Sequence, residues 1–122
     1  MNSLGANKVI HYLSTHHDKN LPEHFMLLSP ANLTYSELNN VHVGEGDFSQ
    51  VESITHTGAL VIGTYDNFTC GNPSEFLKNI NRHMPTDAEN KLIFIEKTGH
   101  TYQQKEQEIA DVILETVQEW RL

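Results

Sequence analysis

The six residues 58–63 read Gly-Ala-Leu-Val-Ile-Gly, and this stretch determines which kind of fold the chain can form. A short, continuous apolar run is typical of a strand that is buried on both faces, as in a parallel sheet. The same pattern occurs at residues 24–29, His-Phe-Met-Leu-Leu-Ser, and at residues 91–95, Lys-Leu-Ile-Phe-Ile. We therefore predict a buried sheet of about three strands.

Helical patterns flank these three runs. Near the start of the chain, apolar residues at i, i+3, i+4 and i+7 predict an amphipathic helix that ends in the polar residues 16–20; they are Ala6, Val9, Ile10 and Leu13. Asn72 and Pro73 predict the start of a second helix, with Asn72 as the N-cap and Pro73 at the first helical position. A third helix is expected over residues 104–121, with an apolar face formed by Ile109, Ile113, Val117 and Trp120.

Residues 32–57 show no sustained period, and we expect them to be mostly loop with a short turn of helix. The order of elements is then helix, strand, loop, strand, helix, strand, helix. Such alternation builds a parallel sheet with right-handed crossovers. The predicted fold is a single α/β domain, residues 1–122, in which a short parallel sheet lies between two layers of helices.

The composition excludes several function classes. The 122 residues include 16 acidic and 8 basic side chains, a formal net charge of −8, and the basic residues are scattered from Lys8 to Arg121. A nucleic-acid partner requires clustered cations, so we do not expect one. A membrane span requires a continuous run of roughly 20 apolar residues, and the sequence contains no such run. The first residues lack the features of a signal peptide, so we expect a cytoplasmic protein.

Candidate reactive residues lie where the predicted elements begin or end. Asp66 closes the sequence Gly-Thr-Tyr-Asp, residues 63–66, after the second strand, and His100 closes Glu-Lys-Thr-Gly-His, residues 96–100, after the third. The carboxyl ends of parallel strands meet at one edge of a sheet. Ser3 precedes the first helix in Met-Asn-Ser-Leu-Gly, residues 1–5, which retains the Ser-x-Gly half of a Gly-x-Ser-x-Gly nucleophile elbow.

With Ser, Asp and His in this chain order, the sequence resembles the C-terminal half of a small, esterase-like serine hydrolase of the α/β-hydrolase fold. The resemblance implies that Ser3 is the nucleophile and that His100 is the general base. It implies that Asp66 orients and stabilises the His100 imidazolium. The amide of Leu4 is then one oxyanion donor, the substrate is a small ester, and no cofactor takes part.

Each of these residues also has a simpler structural explanation. Ser3 could serve only as an N-cap, Asp66 could be an ordinary turn former, and His100 could be a loop residue. His11, His16 and His17 could suggest a metal site, but the five positions between His11 and His16 point their rings to different faces of a helix. No carboxylate-rich motif accompanies them, so we predict no metal site. The single cysteine, Cys70, is interpreted as a small apolar residue.

The sequence departs from the family pattern before Ser3. No strand leads into the elbow and no segment supplies a second oxyanion donor, so weak activity is expected. The alternative hypothesis is a non-catalytic, truncated remnant or half-domain that acts by self-association or partner binding. The apolar strand at Phe25–Ser29 would then leave an open sheet edge, and we predict a homo-oligomer formed through that edge.

Overall fold

A computed structural model describes residues 4–15, 24–30, 35–36, 41–42, 51–66 and 72–121. The helices are α1 (Leu4–Thr15), α2 (Pro73–Arg82) and α3 (Glu106–Trp120). The strands are β1 (His24–Leu28), β2 (Tyr35–Ser36), β3 (Val41–His42), β4 (Thr57–Gly63) and β5 (Lys91–Ile95). Two short 3₁₀ turns cover Val51–Ser53 and Asp87–Glu89.

Strands β1, β4 and β5 form a parallel sheet in the spatial order β1-β4-β5. In the register, Leu27 lies beside Leu60, and Ile62 lies beside Phe94. All three strands coincide with the apolar runs of the sequence, and the predicted α/β fold class is confirmed. The arrangement brings the carboxyl ends of β4 and β5 side by side.

Residues 32–57 contain one feature that the sequence pattern did not predict. Strands β2 and β3 pair in antiparallel fashion, although each is only two residues long. A strand of two residues is too short to produce a period in the sequence, which explains why this segment was expected to be mostly loop. The short helical turn expected in the same segment is present at Val51–Ser53.

Helices cover both faces of the sheet. On one face, α1 and α2 pack against alternate strand residues in a cluster that contains Ile10, Leu13, Phe25, Leu27, Val51, Ile54, Leu60, Ile62, Phe76, Leu77, Ile80 and Met84. On the other face, α3 packs against a smaller cluster built on Val61, Ile95 and Tyr102. Since burial of apolar surface stabilises folds at about 25 cal/mol per Å², the first face contributes most of the core.

The start of α2 has the predicted cap. The side chain of Asn72 accepts a hydrogen bond from the Glu75 amide at 3.2 Å, and Pro73 occupies the first helical position. Because proline lacks an amide proton, its place at the first position leaves one fewer unpaired donor at the helix start. The predicted helix start is confirmed.

Helix α3 is fixed to the sheet at its C-terminal end by two side-chain contacts. The ring of Trp120 stacks on His24 with 4.7 Å between the ring centroids, and Lys91 forms an ion pair with Glu119 at 3.0 Å. Along the helix, the apolar residues of the predicted stripe are only half-buried, whereas Thr116 is buried. None of the helices in the described parts of the chain is long and apolar enough to cross a membrane.

Candidate active site

The loops that follow β4 and β5 are joined by hydrogen bonds. The Thr64 amide donates to the Ile95 carbonyl at 3.0 Å, and the Tyr65 amide donates to the Thr98 carbonyl at 2.9 Å. In the opposite direction, the Lys97 amide donates to the Thr64 hydroxyl at 2.8 Å. These bonds run from one loop to the other, so the two loops form one unit at the carboxyl edge of the sheet.

The close approach of these loops requires a glycine at position 63. A Cβ atom built on Gly63 would lie 2.1 Å from the Thr98 carbonyl oxygen and 2.7 Å from the Thr98 carbonyl carbon. Both atoms belong to backbone, which cannot rotate away as a side chain can. Gly63 therefore sets the distance between the loop that carries Asp66 and the loop that carries His100.

Asp66 and His100 form a buried pair at this edge. The Nδ1 atom of His100 lies 2.9 Å from Oδ2 of Asp66, and the two side chains are 9% and 0% exposed, respectively. This is the contact that the sequence predicted for these two residues, and the predicted contact is confirmed. A carboxylate only accepts hydrogen bonds, so Nδ1 of His100 carries the proton and Nε2 becomes the basic nitrogen of the neutral ring.

The loop that carries His100 has an unusual backbone. Lys97, Tyr102 and Gln104 have positive φ angles of 54°, 58° and 65°. A non-glycine residue in this region is uncommon, and such residues persist only where the surrounding structure imposes them. Their grouping around His100 indicates that the position of this histidine is fixed by the fold at an energetic cost.

Two buried hydroxyl groups lie below this loop. The Oγ atom of Ser29 lies 2.7 Å from the Tyr102 hydroxyl and 3.0 Å from the His100 carbonyl oxygen. Ser29 follows β1, has a φ angle of 51° and is 0% exposed. Burial raises the pKa of Tyr102 to about 12, so its hydroxyl remains protonated at neutral pH.

The remaining candidate residues are distributed as follows. Ser3 and Cys70 lie outside the described residues, and so do His16 and His17. Leu4 is the first residue of α1, where backbone amides have no acceptor within the helix. His11 is exposed on α1. Within the described ranges, no three His, Cys, Asp or Glu side chains are grouped closely enough to hold a metal ion.

Sequence reasoning missed the parts played by Gly63, Thr64, Ser29 and Tyr102. Ser29 and Tyr102 are separated by 73 positions, and nothing in the sequence indicates that their hydroxyls meet. The available signal was weaker: a serine at a strand exit before proline, and a tyrosine two residues after the histidine.

This chain was compared with protein-family models and with curated proteins. No protein-family model matches it, and no curated protein is similar to it at a significant level. The assignment of a function therefore depends on the geometry of the site.

Proposed function

We propose that this chain is a serine hydrolase of the α/β-hydrolase type that acts on an ester or a similar acyl substrate. The catalytic residues of this proposal are Ser3, His100 and Asp66. The observation that supports it most strongly is the buried Asp66–His100 pair at the carboxyl ends of two adjacent parallel strands. In an open parallel sheet this is the edge where reactive groups collect.

In the proposed mechanism, Nε2 of His100 takes the proton from the Ser3 hydroxyl while Ser3 Oγ attacks the acyl carbon. The resulting imidazolium is stabilised by the carboxylate of Asp66, and the amide of Leu4 donates to the developing oxyanion. His100 then returns the proton to the leaving alcohol. Water attacks the acyl-enzyme in the second half-reaction, again with His100 as the base, and Ser3 recovers its proton.

The charge of the chain limits the proposed substrate class. A net charge of −8 creates a negative field that slows the approach of anionic molecules and weakens their binding. We therefore propose a neutral ester rather than one that carries a carboxylate. The cytoplasmic location and the lack of a nucleic-acid partner remain predictions from the sequence.

The proposal predicts weak hydrolysis of an activated ester such as p-nitrophenyl acetate. Both Ser3→Ala and His100→Ala should abolish this activity, because the first removes the nucleophile and the second removes the base. His11→Ala is the matched control, since His11 is an exposed histidine on α1. The initial rates of hydrolysis, measured by nitrophenolate absorbance, are compared among these variants and the unmodified chain. Hydrolysis that survives in both Ser3→Ala and His100→Ala would contradict the proposal.

A second candidate function is favoured by the position of β1. This strand stands at the end of the order β1-β4-β5, and residues 25–28 carry no charge that would discourage further strand pairing. On this alternative, the chain is a non-catalytic half-domain that associates with a second copy through the β1 edge.

Sedimentation velocity at tens of micromolar tests this second candidate. We expect a dimer that Leu28→Lys converts to monomer, because a charged side chain on an edge strand opposes pairing. Leu114→Lys, at a leucine of α3 that is 58% exposed, is the control and should leave the dimer intact. A folded monomer for the unmodified chain would rule out self-association.

A further inference from the structure

The hydroxyls of Ser29 and Tyr102 are buried directly beneath the backbone of His100. Ser29 is 0% exposed and Tyr102 is 4% exposed. The Ser29 amide donates to the Val61 carbonyl of β4 at 2.8 Å, so Ser29 is itself fixed to the central strand of the sheet. Ser29 and Tyr102 thus connect β4 and the end of β1 to the loop that carries His100.

The direction of the hydrogen bonds follows from the acceptors. The His100 carbonyl can only accept, and Ser29 has a single hydroxyl proton, so Ser29 donates that proton to His100 at 3.0 Å. Tyr102 must then donate to Ser29 across the 2.7 Å that separates the two oxygens. The Val61 carbonyl lies 3.4 Å from the Tyr102 hydroxyl and is at most a weak second acceptor.

These two linked hydrogen bonds require that the Tyr102 hydroxyl is protonated. Burial, the largest cause, raises the pKa of Tyr102 to about 12, and the nearby charge of Asp66 acts in the same direction. The phenol is therefore a hydrogen-bond donor throughout the neutral range. At neutral pH, both hydrogen bonds are therefore formed: Tyr102 donates to Ser29, and Ser29 donates to the His100 carbonyl.

His100 is then held from two sides. Its ring is bound to Asp66 through Nδ1, and its carbonyl is bound to Ser29. A single bond to the ring would allow the imidazole to pivot about Asp66. The second bond fixes the backbone from which the ring projects, and it comes from Ser29, which follows β1 rather than β4 or β5.

We propose that Ser29 and Tyr102 are positioning residues that orient the His100 imidazole through the His100 carbonyl. Neither residue contacts the substrate. The inference rests on the proposed function for its kinetic consequence, since only a catalytic base needs its ring fixed to a fraction of an ångström. Its structural consequence, the immobilised Asp66–His100 hydrogen bond, can be measured without any activity.

The test compares Tyr102→Phe and Ser29→Gly with the unmodified chain. Phenylalanine keeps the ring and removes only the hydroxyl. Glycine removes the Ser29 hydroxyl and accepts the φ angle of 51° without strain, so both variants should fold. Tyr65→Phe is the matched control, because Tyr65 is a tyrosine near the same site whose side chain is 64% exposed.

The first readout is the nuclear magnetic resonance signal of the proton that His100 Nδ1 shares with Asp66, assigned by its loss in Asp66→Asn. We expect this signal to broaden or shift in Tyr102→Phe and Ser29→Gly and to stay unchanged in Tyr65→Phe. The second readout is p-nitrophenyl acetate hydrolysis, where kcat should fall about tenfold, the size of one lost hydrogen bond, at constant KM.

The two readouts separate the possible failures. A chain without hydrolase activity that nevertheless shows the expected change in the proton signal supports the positioning role and contradicts the proposed function. A proton signal that is identical in all the folded variants overturns the positioning role, whatever the kinetics show. An equal loss of kcat in Tyr65→Phe would also overturn it.

Discussion

Gly63→Ala is expected to lower the free energy of unfolding by about 3 kcal/mol, at the upper end of the range for overpacked sites. The added Cβ would lie 2.1 Å from the Thr98 carbonyl oxygen, a distance that requires the backbone of one loop to move. The loop after β5 cannot move freely, because its bonds to Thr64 and Tyr65 hold it against β4. Urea unfolding followed by circular dichroism measures the loss.

Gly99→Ala is the matched control for this prediction. A Cβ atom on Gly99 would have no neighbour within 4 Å, although Gly99 lies in the same loop and directly precedes His100. We expect Gly99→Ala to change the free energy of unfolding by less than about 0.5 kcal/mol. Equal stabilities of Gly63→Ala and Gly99→Ala would show that the two loops do not approach as closely as described.

Asp66→Asn is expected to lower kcat for p-nitrophenyl acetate by about 10²–10⁴-fold, the range of a general-base contribution. The amide has the shape of the carboxylate but no charge, so it cannot stabilise the imidazolium of His100. It can also donate to Nδ1 through its NH₂ group, which would move the ring proton to Nε2 and remove the basic nitrogen from the reacting side.

The control for Asp66→Asn is Asp111→Asn. Asp111 is an exposed aspartate on α3, and its carboxylate accepts a hydrogen bond from Gln107 at 2.8 Å. We expect this variant to retain the activity of the unmodified chain. Far-ultraviolet circular dichroism should show that both variants are folded. If Asp66→Asn were as active as Asp111→Asn, Asp66 would be excluded from the mechanism.

The sheet and the Asp66–His100 contact could be predicted from the sequence because both follow from periodicity and topology. Continuous apolar runs identify strands buried on both faces, and parallel strands necessarily end at a common edge. Asp66 and His100 each follow such a run at a short distance. Their contact therefore required only that β4 and β5 be neighbours in the sheet.

The support beneath His100 could not be predicted, because it depends on backbone angles and on distant partners. The direction of the Tyr102 side chain depends on a φ angle of 58°, a conformation that no sequence rule assigns to a tyrosine. Its hydroxyl then forms a hydrogen bond with Ser29, which lies 73 positions earlier in the sequence. The need for glycine at position 63 likewise arises from a distance between loops rather than from a turn.

Helix α3 shows a different limit of prediction from the apolar pattern. The apolar stripe correctly indicated the face that packs on the sheet, but the buried residue on this helix is Thr116. The Thr116 hydroxyl donates to the Val112 carbonyl at 2.7 Å, so its burial leaves no unpaired donor. Hydrophobic periodicity treats threonine as polar and cannot take account of a hydrogen bond within the same helix.

The central claim of a Ser3–His100–Asp66 triad is tested most directly by covalent labelling with a fluorophosphonate probe. The probe reacts with a serine only when a base activates it, and mass spectrometry of the digested protein identifies the modified residue. We predict one adduct, on Ser3, that is absent in His100→Ala and strongly reduced in Asp66→Asn. A chain that remains unlabelled, or that carries the adduct on another residue, would contradict the account.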